Sequence, residues 1–164
     1  MIPSIRKLTS PQRTPQANLR LGAALAFVAG AANAGGYLAV GQYTSHMTGI
    51  VSLMTDNIVL GQMTLVLTGL SALCAFLIGS ITSSMLVTWA KRRRLRSHFA
   101  LPLALEALLL LVFGLLGAAM DNQIAFLLPE TVLVLCFTMG LQNATITRIS
   151  HSEIRTTHIT GLVT

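Results

Sequence analysis

Apolar residues in this chain gather into long runs divided by short polar stretches, and the lengths of those runs predict helices that cross a bilayer. Residues 21–42, 63–90, 101–120 and 124–147 each supply the roughly 20 apolar positions that a hydrocarbon core demands. Two of these runs carry small residues at helical spacing: Gly22, Ala26, Gly30 and Ala34 in the first, and Ser71, Ala75, Gly79 and Ser83 in the second. Such stripes let helix backbones approach closely, so these two helices are expected to pack on each other. Pro129 stands near the start of the last run, where a missing backbone donor is tolerated.

Residues 44–60 break the pattern. They are apolar on average but interrupted by Thr44, Ser45, His46, Thr48, Gly49, Ser52, Thr55, Asp56 and Asn57, which suits no lipid-facing helix. Charge placement decides their path. The 11 Lys and Arg residues, source of the net charge of +6, fall in the N-terminal tail, in the cluster Lys91, Arg92, Arg93, Arg94 and Arg96, and at Arg148 and Arg155. If all three stretches are cytoplasmic, an even number of crossings separates the tail from the cluster. Segment 44–60 is then re-entrant: the chain descends extended over 43–47 from the outer face, and a short helix returns from about Thr48. The next run leads outward to the turn at Asp121, Asn122 and Gln123, and the last returns inward. Tyr37, Tyr43 and Trp89 suit interfacial positions. Residues 1–20, with Pro3, Pro11 and Pro15, lack the apolar core of a cleavable signal and read as a disordered cytoplasmic tail. The expected fold is an all-α, polytopic helical membrane protein of the inner (plasma) membrane. It has about four full spans plus a re-entrant short helix, with the N-terminus in the cytoplasm.

Composition agrees, since a chain that is 53% hydrophobic and 10% charged, with mean hydropathy +0.71, has more apolar surface than a soluble globule hides. Topology accounts for the basic balance, so nucleic acid is not an expected partner. The expected partners are the lipid bilayer, a small polar or anionic solute, and further copies of the chain. Cys74 and Cys136 lie inside apolar runs without CxxC spacing and read as packing residues. The sequence has no metal-ligand spacing, no cofactor fingerprint and no HExxH, GxSxG or phosphate-loop motif, so no enzyme, metal or cofactor is expected.

The chain also repeats itself. Thr44-Ser45-His46-Met47-Thr48-Gly49-Ile50-Val51-Ser52 returns as Thr156-Thr157-His158-Ile159-Thr160-Gly161-Leu162-Val163-Thr164, and upstream Gly30-Ala31-Ala32-Asn33-Ala34 returns as Gly140-Leu141-Gln142-Asn143-Ala144. The domain plan is thus a tail, then a transmembrane unit over 21–164. Within that unit lie repeat 1 at about 21–90, a linking helix at about 101–120 and an incomplete repeat 2 at about 124–164. Under the topology above the two copies run in opposite directions. Inverted repeats with interrupted helices are the recurring plan of secondary transporters. The segments AGAANAGGYLAVGQYTSHMTG, MGLQNATITRIS and RTTHITG resemble the YoaK-like family of bacterial multipass membrane proteins, a domain of unknown function, over essentially everything after residue 20. That family's pattern has Asp at the position of Asn33 and Asn at that of Ile50, so no ion or proton role is carried over there. The resemblance also implies a further helix or more after Thr164.

In the T-[ST]-H-x-T-G motif a Thr caps a half-helix, Gly admits a ligand or another helix, and the positive helix end favours an anion or carbonyl. The candidate substrate site is therefore Thr44, Ser45, His46, Thr48 and Gly49 with Asn33, and Thr157, His158, Thr160 and Gly161 with Asn143. The two histidines are expected to face each other near the midplane. The bland alternative is that these groups only satisfy backbone where helices break, and that Asn33 and Asn143 bond across the repeat interface. Asp56 is the candidate for proton coupling, because a carboxylate in an apolar helix is costly unless paired, protonated or wet. Glu106 and Glu130 are expected to reach the interface from near the ends of their spans. The function expected is a small-solute secondary transporter or permease with a midplane site at the two THxTG motifs. The alternative is a non-transporting scaffold or partner subunit.

Overall fold

The computed structural model describes residues 15–40, 44–95, 97–119 and 128–150, and these form five α-helices with no strand among them. In chain order they are α1 (Pro15–Val40), α2 (Met47–Val59), α3 (Met63–Arg92), α4 (Ala100–Ala119) and α5 (Leu128–Ile149). α1 begins at Pro15, ahead of the expected start at Leu21, because Pro is tolerated in a first turn whose N–H groups have no helical partner. The short helix expected from about Thr48 opens at Met47. It closes at Leu60 in a tight cap: Gly61 takes φ +72° and donates to Ile58 O, while Gln62 donates to Asn57 O. Only glycine adopts that left-handed conformation without steric cost, which sets the α2–α3 turn here.

The described helices Leu19–Leu38, Met63–Arg92 and Glu130–Ile149 are long and apolar enough to cross a membrane, and α4 adds a shorter apolar stretch, Ala100–Leu115. Their outer surface is apolar as well, with Phe27, Leu38, Ile81, Met85, Leu111 and Leu115 all exposed. A soluble monomer does not present so continuous a greasy surface. Hydroxyls on α3 are shielded from lipid by their own helix: Thr68, Thr82 and Thr88 each donate to the carbonyl one turn earlier.

α5 is the hub. It packs most extensively on α3 and also contacts α4 and α1. On the α3 side the two backbones touch: a Cβ on Gly79 would overlap the Phe137 carbonyl, and one on Gly140 would overlap that of Phe76. Ser80 Oγ donates to Gly140 O at 3.1 Å, and the buried Ser83 and Thr145 hydroxyls share a 2.8 Å bond. Because lipid tails remove any hydrophobic drive between helices, close contact and interhelical hydrogen bonds of about 0.5–2 kcal/mol each hold such a seam. The expectation that the small-residue stripe of the first span meets that of the long helix is not met. Gly22 is buried, but Ala26, Gly30 and Ala34 are exposed, nothing lies within 4 Å of a Cβ built on Gly30, and α3 gives its stripe to α5.

Contacts fix the directions. Leu21 and Leu25 cluster with Ile146 and Ile149, whereas Gly36 abuts Leu135, so α1 and α5 are antiparallel. Ala72 meets Val132 and Cys136, and Ser83 meets Thr145, so α3 and α5 are parallel. Phe99 and Leu103 reach the Ile146 end and Leu110 reaches Met139, so α4 runs against α5. α2 starts at the level of Ala72 and Phe76, midway along α3, and runs back toward the start of α3, with Met54 beside Gly69. With 13 residues α2 is about 20 Å long, short of the roughly 30 Å hydrocarbon core. α1 and α3 thus run in opposite directions with a half-length helix between them.

The seam yields a test. Gly79→Leu or Gly140→Leu should destabilise the purified protein by at least about 1–3 kcal/mol through backbone displacement, read as a lowered unfolding midpoint in detergent. Gly30→Leu, placed on an open face, should leave the midpoint unchanged.

Candidate functional site

Among the described residues, the side chain of Asn33 reaches across the break between α1 and α2. Asn33, on α1, points its Oδ1 at the connector, where the Thr44 and Ser45 N–H groups donate to it at 3.0 and 3.1 Å. Two backbone donors that the break leaves without helical partners are thereby satisfied. Thr44 is fully buried, its methyl and hydroxyl lying against Gly36, and its Oγ1 has no partner among the described residues. His46 is the N-cap residue of α2, and its carbonyl accepts from Ile50 N–H at 3.1 Å while its imidazole makes no capping bond. The expectation that a Thr caps this half-helix is not met: its first turn has no side-chain cap, and Asn33 bonds the connector ahead of it.

Gly49 sits against the imidazole, so that a Cβ there would stand 3.0 Å from His46 Nδ1. Both residues line a groove of about 460 Å³ between α1, α2 and α3, together with Tyr37, Asn57, Thr68 and apolar neighbours. The groove gathers His46 and Gly49 of the expected set. Ser45 is half-buried in the connector, and Thr48 is exposed on α2. Asp56 is exposed on α2 and does not line the groove, although its neighbour Asn57 does. Thr157, His158, Thr160 and Gly161 lie outside the described residues. Asn143 is half-buried on α5 with its Oδ1 unpartnered among the described residues, and Asn33 spends its carbonyl oxygen on the connector. A second groove of about 600 Å³ runs along α3, with Ser80, Ser84, Thr88, Arg92 and Ala144 in its wall, and contains none of the expected site residues.

Another polar cluster was not expected from the sequence. Gln142, fully buried on α5, donates through Nε2 to Leu25 O of α1 at 2.9 Å and to Glu106 Oε1 of α4 at 2.8 Å. Glu106 is only 3% exposed, so the reading that it reaches the interface is corrected: its carboxyl is folded inward among three helices. Glu130 is exposed. The signal for Gln142 was present in the quoted GLQNA segment, yet nothing in one sequence distinguishes the inward from the outward face of a helix that is apolar all round. Among the described residues no group of His, Cys, Asp and Glu is placed to hold a metal ion. Cys136 is buried in the α3–α5 seam and Cys74 is exposed, both free thiols.

The family profile described as "Protein of unknown function (DUF1275)" matches residues 21–164. The chain belongs to this family. It is 30% identical over 139 residues to the UPF0700 transmembrane protein YoaK of Bacillus subtilis (strain 168), an alignment spanning 84% of this chain and 60% of that relative. The chain therefore covers less than two thirds of the relative's length. No solved structure matches it. An Asp at position 33 would present the same kind of acceptor oxygen to the connector.

Asn33→Ala should leave the Thr44 and Ser45 N–H groups unpaired and cost about 1–3 kcal/mol. Asn33→Asp should retain most of that stability. Hydrogen exchange at Thr44 and Ser45 in detergent checks both, with rapid exchange expected only in the Ala variant.

Proposed function

We propose that this DUF1275 membrane protein is a small-solute secondary transporter or permease of the inner membrane, with its site where the α1–α2 break opens onto the groove at His46 and Gly49. One observation carries the reading: a half-length helix begins midway along α3, and its opening turn and an imidazole border a groove of about 460 Å³. The first N–H groups of a helix lack partners within it and carry its positive dipole end, so this opening favours a carboxylate, an anion or a carbonyl. The antiparallel course of α1 and α5, which carry the two GxxNA segments, supports the inverted-repeat plan of such transporters. On this reading α1, α3, α4 and α5 make four crossings. The N-terminus and the Lys91–Arg94 cluster then face the cytoplasm, and His158 belongs to the counterpart half of the site.

The alternative is a non-transporting scaffold or partner subunit. It is favoured by Asn33, whose side-chain oxygen is committed to backbone and not directed to a ligand. Flux separates the two. Reconstituted in liposomes, the chain should move a member of a panel of small anions and polar solutes. His46→Ala should lower that flux by about tenfold or more, the equivalent of one lost interaction of 1.4 kcal/mol, with the helical circular dichroism unchanged. No flux for any solute, with a stable partner co-purifying, would sink the transport reading.

Topology has its own test. In cells expressing a variant without Cys74 and Cys136, a cysteine at Gln62 should label from outside and one at Leu95 only after permeabilisation. Labelling of Leu95→Cys from outside overturns the orientation.

A further inference from the structure

The cluster between α1, α4 and α5 leaves two atoms unexplained. Glu106 Oε2 and Gln142 Oε1 are both buried without a hydrogen-bond partner among the described residues. They belong to the two side chains already joined by their other polar atoms, Gln142 Nε2 donating to Glu106 Oε1 at 2.8 Å. The orientation of the Gln142 amide is fixed independently, because Leu25 O is an acceptor at 2.9 Å and only Nε2 can face it. Both unsatisfied atoms are therefore acceptors, and the missing component is a donor. A single proton on Glu106 Oε2 would supply it: donated to Gln142 Oε1, while Nε2–H donates to Glu106 Oε1, it would close a cyclic acid–amide pair. The second Nε2–H stays on Leu25 O. Every polar atom of both side chains then has a partner.

We propose that Glu106 and Gln142 form a proton-binding site inside the membrane, in which Glu106 carries the proton and Gln142 holds it between α4, α5 and α1. No cation compensates the carboxyl among the described residues. On α1 the titratable groups are Arg20 and Tyr37, on α3 Cys74, Lys91 and Arg92, and on α5 Glu130, Cys136 and Arg148; none bonds to Glu106. Arg148 is directed to Ser84 O of α3, and Cys136 lies against Ala72 and Val132. α4 has no other ionisable residue, and His98, just ahead of it, has its Nδ1 buried without a hydrogen-bond partner among the described residues. An ionised carboxylate left here with one donor is strongly disfavoured, because a buried charge without a cation or further donors loses its hydration uncompensated. Release of the proton therefore requires water to enter between α4 and its neighbours, which links proton occupancy to the packing of three helices. Asp56, exposed on α2, has no such linkage. Use of this proton in coupled transport rests on the transport reading above; its binding does not.

Infrared spectra of the full chain in lipid vesicles test the proposal. At neutral pH the wild type should show a hydrogen-bonded carboxylic acid carbonyl band that is absent in Glu106→Gln. In Gln142→Leu that band should move to higher frequency, as expected for an acid carbonyl that has lost its amide donor. The second variant keeps the test decisive if the first does not fold, because it alters the same band without removing the acid. A wild-type spectrum at neutral pH with no acid carbonyl sensitive to either substitution, and with an ionised carboxylate band lost in Glu106→Gln instead, overturns the site. Vesicles that show the acid band but no solute flux keep the proton site and remove only its coupling role.

Discussion

The closeness of α3 to α5 governs the rest of the bundle. Gly79 and Gly140 bring each helix against a carbonyl of the other, Phe137 and Phe76, so neither position accepts a side chain. Lipid offers the separated helices the same apolar contacts they would make with each other, which leaves only tight packing and direct hydrogen bonds to favour association. The Ser80–Gly140 and Ser83–Thr145 bonds follow from that approach, since hydroxyl side chains are short. With α3 and α5 locked in parallel, α1 and α4 lie antiparallel on the remaining faces of α5. α2 then finds its place against α3 and the Val132–Cys136 edge of α5.

A second constraint shapes the region around His46. A helix cannot be interrupted within a bilayer unless the exposed backbone groups find partners inside the protein. Asn33 meets that demand from the preceding helix, and its single oxygen serves both Thr44 and Ser45. The break is thereby anchored at its start, and the Gly61 cap anchors the far end of the half-helix. What lies between is a short helix that packs on α3 and walls the groove beside Gly49.

The same accounting explains Gln142. Its amide joins three helices through one nitrogen, and the carboxyl opposite is excluded from water. Polar groups at such depth rarely serve packing alone when apolar residues of equal volume would fill the space.

Sequence alone determined the elements. Run length and composition marked the apolar helices, and the polar interruptions at Thr44 to Asn57 marked the short one; both are local properties of a chain dissolved in lipid. With the basic stretches placed on one side of the membrane, charge placement called for α1 and α3 to run in opposite directions, and the similarity of the two GxxNA segments picked out Asn33. Tertiary structure alone decided which faces meet. The stripe at Gly22 to Ala34 and the stripe at Ser71 to Ser83 look equally able to pack, yet only the second finds a partner backbone, on α5, because contact requires complementary grooves on both helices. Asn33 was legible as important but not as the holder of its own connector, and Glu106 was legible as a carboxylate but not as a buried one. The rotation of a helix that is apolar on every side leaves no periodicity in its sequence; only the neighbours it packs against reveal which way its polar residues point.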